Sequence, residues 1–158
     1  MHQLKYRGWQ ALGELMGESL ARIDRPALNG TRTVVQAVPT TKSRLRERGY
    51  NQAALIARAF ARSTSLPFVE WLVRAPSSSS QTTLQPAKRS ANVAGAFRLS
   101  EEHYSAAEDR QIILVDDVLT TGATVSECAE TLAGAGAASV CVLTYARALD
   151  TERLLGVS

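Results

Sequence analysis

Cysteine is scarce in this chain, which contains only Cys128 and Cys141 among its 158 residues. Neither belongs to a Cys-x-x-Cys pair, and a zinc ribbon needs four ligands, so the sequence excludes a zinc-ribbon module and a disulfide scaffold. Free thiols are typical of a reducing compartment, which predicts a cytoplasmic location.

Long hydrophobic runs are also missing. The longest stretch without a charged residue runs from Thr131 to Ala146 and contains two glycines, whereas a membrane-spanning helix needs roughly 20 apolar residues. Lys5, Arg7 and Glu14 interrupt the apolar residues near the start, so we expect no secretory signal there. These absences predict a soluble protein without a membrane partner.

The chain also has little excess charge of one sign and few aromatic residues. The chain has 18 basic and 15 acidic residues, which leaves a net charge of +3, and aromatic residues make up 6%. A dedicated nucleic-acid interface usually concentrates basic charge, and a channel for single strands interleaves it with stacking aromatics. The length suits one domain, spanning residues 1–158.

Hydrophobic periodicity predicts an α/β fold. Residues 4–23 are typical of an amphipathic helix, within an N-terminal helical segment over 1–30. The following pattern predicts, in order, a strand at 33–38, a polar basic loop at 40–49, a helix from Asn51, strands at 68–74, 95–99 and 111–115, a helix at 125–132 and a strand at 139–145. Strands that alternate with helices imply an open, mainly parallel sheet flanked by helices.

The strongest functional signal follows the most hydrophobic strand. Asp116 and Asp117 come directly after it, and a turn rich in threonine and glycine then opens a helix. Open α/β sheets bind ligands at the carboxyl ends of their strands, and helix N-termini favour anions. The pattern therefore predicts a site for a phosphate, formed by the turn, beside a diol or Mg²⁺ held by the carboxylates. The turn residues are Thr120, Thr121, Gly122, Ala123 and Thr124.

A plainer structural interpretation of this segment also exists. The two aspartates would merely end a strand, and Thr120 would cap the helix. Each half of the pattern is weak alone, and the combination favours a ligand site. The Walker A pattern is absent, so a P-loop is excluded.

Several further motifs occur in order along nearly the whole chain. Besides 115–124, they are Leu-Lys-Tyr-Arg-Gly at 4–8, Arg44 with Arg-Gly-Tyr-Asn-Gln at 48–52, and Gln81-Thr82 with Arg89, Asn92, Val93, Gly95, Ala96 and Phe97. Together they make the chain resemble the type I phosphoribosyltransferases and, more narrowly, the ComF family, which is related to amidophosphoribosyltransferases. The resemblance implies the type I phosphoribosyltransferase fold.

The resemblance also implies a role for each matching segment in binding 5-phosphoribosyl-1-pyrophosphate (PRPP). Asp116 and Asp117 would hold the ribose hydroxyls and Mg²⁺, the metal directly or through water or the ligand, and the turn 120–124 would cradle the 5′-phosphate. The pyrophosphate loop would consist of Val38, Pro39, Thr40 and Thr41. Basic residues at the leaving group would be Arg44, Arg48, Lys88 and Arg89, unless they form a solvated basic face. Residues 75–92 would be the family's mobile loop.

The implied activity is Mg²⁺-dependent transfer of a phosphoribosyl group, with release of pyrophosphate, by a glycosyltransferase. The acceptor and the general base are not identified by the sequence. Thr120 stands where 6-oxopurine salvage enzymes carry an acid, which argues against hypoxanthine or guanine as the acceptor. His2 follows Met1, so the N-terminal cysteine nucleophile of a glutaminase is not expected.

The alternative is a non-catalytic accessory protein of natural competence and DNA uptake that retains the PRPP site. It would act through competence proteins or single-stranded DNA, with the basic residues of 42–48 and Lys88-Arg89 along the nucleic-acid backbone. The fold class is compatible with a homodimer. Many ComF-like proteins begin with a cysteine-rich zinc module, and this sequence starts at the segment that would follow it.

Overall fold

The computed structural model of the chain describes residues 2–23, 31–75 and 95–148. Its elements are α1 (His2–Ala21), β1 (Thr33–Ala37), α2 (Lys42–Arg48), α3 (Gln52–Thr64), β2 (Phe68–Val69), β3 (Leu72–Arg74), β4 (Phe97–Leu99), a 3₁₀ helix (Glu101–His103), β5 (Gln111–Leu119), α4 (Ala123–Gly134) and β6 (Ser139–Arg147). Four strands form a parallel sheet in the order β2–β1–β5–β6, and β3 pairs antiparallel with β4. The predicted open, parallel sheet flanked by helices is confirmed.

The two central strands are covered on both faces. Alternate side chains of β1 and β5 pack against α1 and α3 in one hydrophobic cluster, which includes Val35, Ala37, Ile113 and Val115. The intervening side chains pack against α4 and the β3–β4 pair in a second cluster, which includes Val34, Ile112 and Leu114. Double coverage explains why 112–115 is a continuous hydrophobic run rather than an alternating one.

From the two central strands, β1 and β5, the chain adds its next strands in opposite directions across the sheet. The chain moves from β1 through α3 to β2 at one edge, and from β5 through α4 to β6 at the other. Helices α3 and α4 belong to the two different core clusters, on opposite faces of the sheet. Such a switch point leaves a crevice at the carboxyl ends of the central strands, where open α/β sheets bind ligands.

Helix α1 packs very closely on α3 through two glycines that lie one turn apart. A Cβ atom at Gly17 would lie 2.5 Å from the Ala59 Cβ and 2.6 Å from the Ile56 carbonyl oxygen, and one at Gly13 would lie 2.9 Å from the Leu55 Cβ. The predicted helix over 4–23 is confirmed with slightly different bounds. Within the described residues, no helix has the length and apolar character required to cross a bilayer.

The predicted loop at 40–49 was wrong in part, because residues 42–48 form α2. Thr41 caps the start of this helix, since its Oγ1 accepts a hydrogen bond from the Arg44 N–H at 3.2 Å. Gly49 ends it in the left-handed conformation, with φ of 81°. Because both of its ends are capped, the segment forms a helix although none of its residues is buried.

The single strand predicted at 68–74 was also wrong, because the segment is divided between two sheets. Phe68–Val69 pairs with β1, whereas Leu72–Arg74 pairs with β4. Buried Gln36 satisfies the backbone at the break, since its Oε1 accepts a hydrogen bond from the Trp71 N–H at 2.8 Å. The predicted strand at 95–99 is confined to Phe97–Leu99, and the predicted mobile loop at 75–92 lies, apart from Ala75, outside the described residues.

Candidate functional site

Asp116 and Asp117 lie where β5 extends past the end of β1. The last pair of the β1–β5 ladder joins Ala37 to Val115, while β5 continues beside β6 as far as Leu119. The aspartates therefore lie inside the strand, which corrects the prediction that they follow its end. They still reach the carboxyl edge of the central strands, because β1 is the shorter of the two.

Burial raises the pKa of the Asp116 carboxyl from its ordinary value of 3.8 to about 6. A hydrogen bond from the Asp117 N–H, at 3.0 Å, lowers this pKa, the nearby Asp117 carboxylate raises it, and the positive charge of Arg44 lowers it. Two interacting carboxyl groups that are partly removed from water are stabilised by a cation or by hydroxyl donors. A ribose diol with Mg²⁺ supplies both.

The donor set of the described residues fits Mg²⁺ only in company with a ligand. Across the described ranges, no cluster of three or more His, Cys, Asp or Glu side chains is arranged to hold a metal ion. Mg²⁺ commonly takes one or two carboxylates and completes its shell with water and substrate phosphates. Asp116 and Asp117 suit that kind of site.

The turn 120–124 leads into α4 with its backbone amides directed outward from the helix start. Gly122 is the N-cap residue of α4 and has φ of 84°, a left-handed conformation. Thr121 Oγ1 accepts a weak hydrogen bond from the Ala123 N–H at 3.4 Å. Gly122 has no side chain with which to cap α4, and the first turn of the helix has no acidic residue. The interpretation of Thr120 as a helix cap is therefore wrong, and the turn is open to an anion.

The loop 38–41 follows β1 and is held from three directions. The Val38 N–H donates to the Val115 carbonyl oxygen at 2.9 Å, which continues the β1–β5 ladder. The Val38 carbonyl accepts a hydrogen bond from Asn51 Nδ2 at 3.0 Å, and the Pro39 carbonyl accepts one from Arg74 Nε at 3.3 Å. The structure thus brings this loop, the two aspartates and the turn 120–124 to neighbouring strand ends.

The predicted basic residues are distributed unequally around this site. Arg44 lies on α2, and its charge acts on Asp116. Arg48 lies at the other end of α2, where its charge partly offsets the rise that burial causes in the pKa of Tyr50. Lys88 and Arg89 lie outside the described residues.

Asn51 and Arg74 are site residues that the sequence did not reveal as such. Asn51 belongs to the Arg-Gly-Tyr-Asn-Gln motif, which was a signal without an assigned role. Arg74 ends a short strand and contacts a loop that lies 35 positions earlier in the chain. Such a contact depends on tertiary structure and leaves no local sequence pattern.

Two side chains that carry nucleophilic atoms, Cys128 and His103, lie at the second core. Burial raises the pKa of the Cys128 thiol to about 12, since Cys128 lies on the buried face of α4. His103 shares a hydrogen bond with Ser100 Oγ at 2.7 Å and stacks on Trp71. Both side chains are therefore engaged in packing.

A cavity of about 370 Å³ lies beside the loop 38–41, on the side of α2 and α3. Its polar lining residues are Gln36, Thr40, Tyr50, Asn51, Arg58 and Glu70. Arg58 and Glu70 form an ion pair at 2.7 Å on its wall. This volume is within the range of small-molecule pockets.

Proteins of similar sequence are named for DNA utilization and competence. No protein-family model matches the chain. Over 157 residues it is 30% identical to the DNA utilization protein YhgH of Escherichia coli K12, covering 94% of this chain and 66% of that protein. Over 115 residues it is 32% identical to the competence protein ComFC of Bacillus subtilis, covering 72% of this chain and 44% of that protein. The chain therefore spans slightly under two thirds of the former relative and less than half of the latter.

The fold is similar to that of the glutamine PRPP amidotransferase from Bacillus subtilis, solved in complex with ADP and GMP. The TM-score is 0.59 at 19% sequence identity, and the match covers 86% of this chain and 26% of that one. This likeness confirms the expected type I phosphoribosyltransferase fold.

Proposed function

The chain belongs to the ComF family of type I phosphoribosyltransferase-like proteins, and from this premise we propose that it binds PRPP with Mg²⁺ and transfers the phosphoribosyl group to an acceptor. One observation carries the proposal. The loop 38–41, the Asp116–Asp117 pair and the turn 120–124 meet at the switch point between β1 and β5. Their order matches the order of pyrophosphate, diol and 5′-phosphate in PRPP.

Each segment suits one part of the ligand. Asp116 and Asp117 would accept hydrogen bonds from the ribose 2′- and 3′-hydroxyls and would hold Mg²⁺, which supplies positive charge to the pyrophosphate when bound. The turn 120–124 would receive the 5′-phosphate at the start of α4. The loop 38–41 and Arg44 would face the pyrophosphate. The other basic residues that would neutralise this leaving group are Arg48, Lys88 and Arg89.

In the proposed reaction the bond from the anomeric carbon to the pyrophosphate oxygen breaks, and pyrophosphate keeps the electron pair. The acceptor nucleophile forms the new bond to the anomeric carbon and loses its proton. Negative charge grows on the leaving group, so amides and basic side chains fixed around it stabilise the transition state.

The substitution Asp117→Asn tests the ligand assignment, because it removes one carboxylate with little change in size. We expect the PRPP affinity to fall by about tenfold to a hundredfold, as for the loss of a hydrogen bond to a charged group. Asp109→Asn is the matched control, since Asp109 is exposed and lies in the turn that precedes β5. Equal PRPP affinity in the Asp117→Asn variant and the unchanged protein would contradict the assignment.

A second candidate function, contact with single-stranded DNA, is favoured by the surface of α2. All side chains of this helix are exposed, and four of them are basic: Lys42, Arg44, Arg46 and Arg48. The ion pairs found within the described ranges are Arg58–Glu70 and Arg62–Glu14, so these four take part in none of them. The names of the relatives refer to DNA utilization and competence, which supports nucleic acid or competence proteins as partners in this second proposal.

A further inference from the structure

Arg74 is the last residue of β3, and its side chain reaches across to the loop 38–41. Its Nε–H donates to the Pro39 carbonyl oxygen at 3.3 Å. The guanidinium carbon lies 4.6 Å from the centre of the Phe97 ring, and Phe97 is the buried partner of Arg74 in the β3–β4 pair. The planar guanidinium is thus fixed against a rigid ring, and its donor has a defined direction.

The direction of the Pro39 carbonyl determines the direction of the next amide. A trans peptide is planar, and its C=O and N–H groups point to opposite sides. When Arg74 holds the Pro39 carbonyl oxygen, the Thr40 N–H is turned away from Arg74. Arg74 therefore sets the orientation of a backbone donor that it does not contact.

Few other amides of the loop 38–41 are available to a ligand. Pro39 has no N–H, and the Val38 N–H is occupied by the Val115 carbonyl. Among the described residues, no hydrogen bond uses the N–H of Thr40 or of Thr41. Asn51 holds the Val38 carbonyl from the α3 side, so the loop presents two amides from a backbone that is fixed on both sides.

The β3–β4 pair also connects this loop to the second predicted phosphate site. The Ala75 N–H donates to the Ala96 carbonyl oxygen at 2.8 Å, and the Ala96 N–H donates to the Glu127 carboxylate on α4. Helix α4 begins at the turn 120–124. Continuous contacts therefore run from Pro39 through Arg74 and the strand pair to the helix that carries the turn.

We propose that Arg74 is a positioning residue that aims the Thr40 amide at the pyrophosphate end of the ligand. The inference rests on the proposed function, because PRPP is the ligand that would bring a pyrophosphate to this loop. It predicts a selective effect. Loss of Arg74 weakens binding of the pyrophosphate end of PRPP, while the site for the ribose 5-phosphate end remains intact.

The experiment compares the binding of two probes, PRPP and ribose 5-phosphate, by the Arg74→Met and Arg74→Lys variants. Methionine keeps the aliphatic packing on Phe97 and removes the donor and the charge, whereas lysine keeps the charge without the planar fork. We expect both variants to lose about tenfold or more in PRPP affinity and to bind ribose 5-phosphate within about twofold of the unchanged protein. An equal loss for both probes, no loss for either, or full PRPP affinity in Arg74→Lys would each overturn the inference.

Arg98→Met is the matched control variant. Arg98 lies in the same β3–β4 pair and also donates a guanidinium N–H to a backbone carbonyl at 3.3 Å, but the acceptor is Leu99 rather than the loop 38–41. We expect this variant to bind both probes as the unchanged protein does. A loss of PRPP affinity as large as that in Arg74→Met would show that removal of any such arginine suffices, and would overturn the inference.

Backbone ¹⁵N relaxation at Thr40, measured by NMR on the free protein, separates this inference from the proposed function. We expect a lower order parameter for the Thr40 N–H in Arg74→Met, because the Pro39–Thr40 peptide loses the hydrogen bond that fixes its plane, and an unchanged order parameter in Arg98→Met. If the unchanged protein binds no PRPP, the proposed function fails, and the order parameter still shows whether Arg74 fixes the loop. An unchanged Thr40 order parameter in Arg74→Met would overturn the positioning role in either case.

Discussion

Val115 is paired with Ala37, the last residue of β1, and every later residue of β5 extends past the end of that neighbouring strand. The next two residues are Asp116 and Asp117. Their backbone is still held by β6, through the pairs Asp116–Thr144 and Val118–Ala146. A difference in strand length therefore delivers the carboxyl pair to the crevice on a rigid support, which is the arrangement that a preformed ligand site requires.

Asp116→Asn should make the fold more stable at pH 7 while it weakens PRPP binding. Burial raises the pKa of Asp116 to about 6 in the folded protein, against 3.8 for the free carboxyl. The folded state thus binds the proton more tightly, so the free energy of unfolding falls as the pH rises from about 4 to about 6. Asparagine at position 116 does not ionise, so the variant does not lose this part of its free energy of unfolding as the pH rises. Because the carboxyl is partly exposed and screened, we expect a gain of about 1 kcal/mol.

Urea denaturation of both proteins at several pH values tests this explanation. The difference in the free energy of unfolding between Asp116→Asn and the unchanged protein should be small at pH 4 and should grow towards pH 7. A difference that stays constant with pH would show that burial of the ionised carboxyl is not its cause. The Asp109→Asn variant provides the baseline for an exposed carboxylate.

Gly17→Ala should destabilise the fold, because the new methyl group would lie 2.6 Å from the Ile56 carbonyl oxygen and 2.5 Å from the Ala59 Cβ. We expect a loss of about 2 kcal/mol, as for other overpacked cores. Gly8→Ala is the contrasting variant in the same helix, since nothing lies within 4 Å of its Cβ position. It should gain about 0.5–1 kcal/mol from helix propensity. Thermal melting of both variants checks the prediction, and equal shifts of the melting temperature would contradict it.

Gly122→Ala should impair binding of the 5′-phosphate as well as stability. Gly122 and Gly49 have almost the same backbone conformation, with φ of 84° and 81°, and nothing lies closer than 3.8 Å to either Cβ position. Alanine should therefore cost each site about 1–2 kcal/mol of strain. Only Gly122 belongs to the turn 120–124, so only Gly122→Ala should weaken ribose 5-phosphate binding, by about tenfold. If Gly49→Ala weakens it as much, the turn has no special role in holding the phosphate.

The double variant Lys42→Gln with Arg46→Gln tests the proposed contact with single-stranded DNA. Both residues are exposed on α2, and neither has a proposed role in PRPP binding. If α2 contacts DNA phosphates, the slope of log affinity against log salt should decrease by about 0.7 for each lost contact. PRPP affinity should remain unchanged. Affinity of the unchanged protein that does not vary with salt would reject the DNA function.

The features that the sequence predicted well depend on local pattern. Residues 112–115 are uniformly hydrophobic because they are buried on both faces, and the alternation of such strands with amphipathic helices predicts the parallel sheet. The segment 115–124 combines a buried strand, two acids and a Gly-containing turn in consecutive positions, so its placement at one edge of the sheet follows from strand direction alone.

The features that were missed depend on contacts between distant segments. Helix α2 has only Leu45 as an apolar residue, so it has no periodicity, although Thr41 and Gly49 are recognisable caps. The division of 68–74 depends on a hydrogen bond from buried Gln36. The close approach at Gly17 and the reach of Arg74 to Pro39 exist only in the folded chain, and no local rule predicts either contact.

Calorimetric titration of the folded protein with PRPP, with and without Mg²⁺, tests the central claim most directly. We expect PRPP to bind in the micromolar range, because three segments converge on one site: the loop 38–41, the Asp116–Asp117 pair and the turn 120–124. We also expect binding to depend on Mg²⁺, because the metal would be held jointly by the carboxylates and the ligand. The absence of PRPP binding, in protein whose fold is verified by circular dichroism, would contradict the claim.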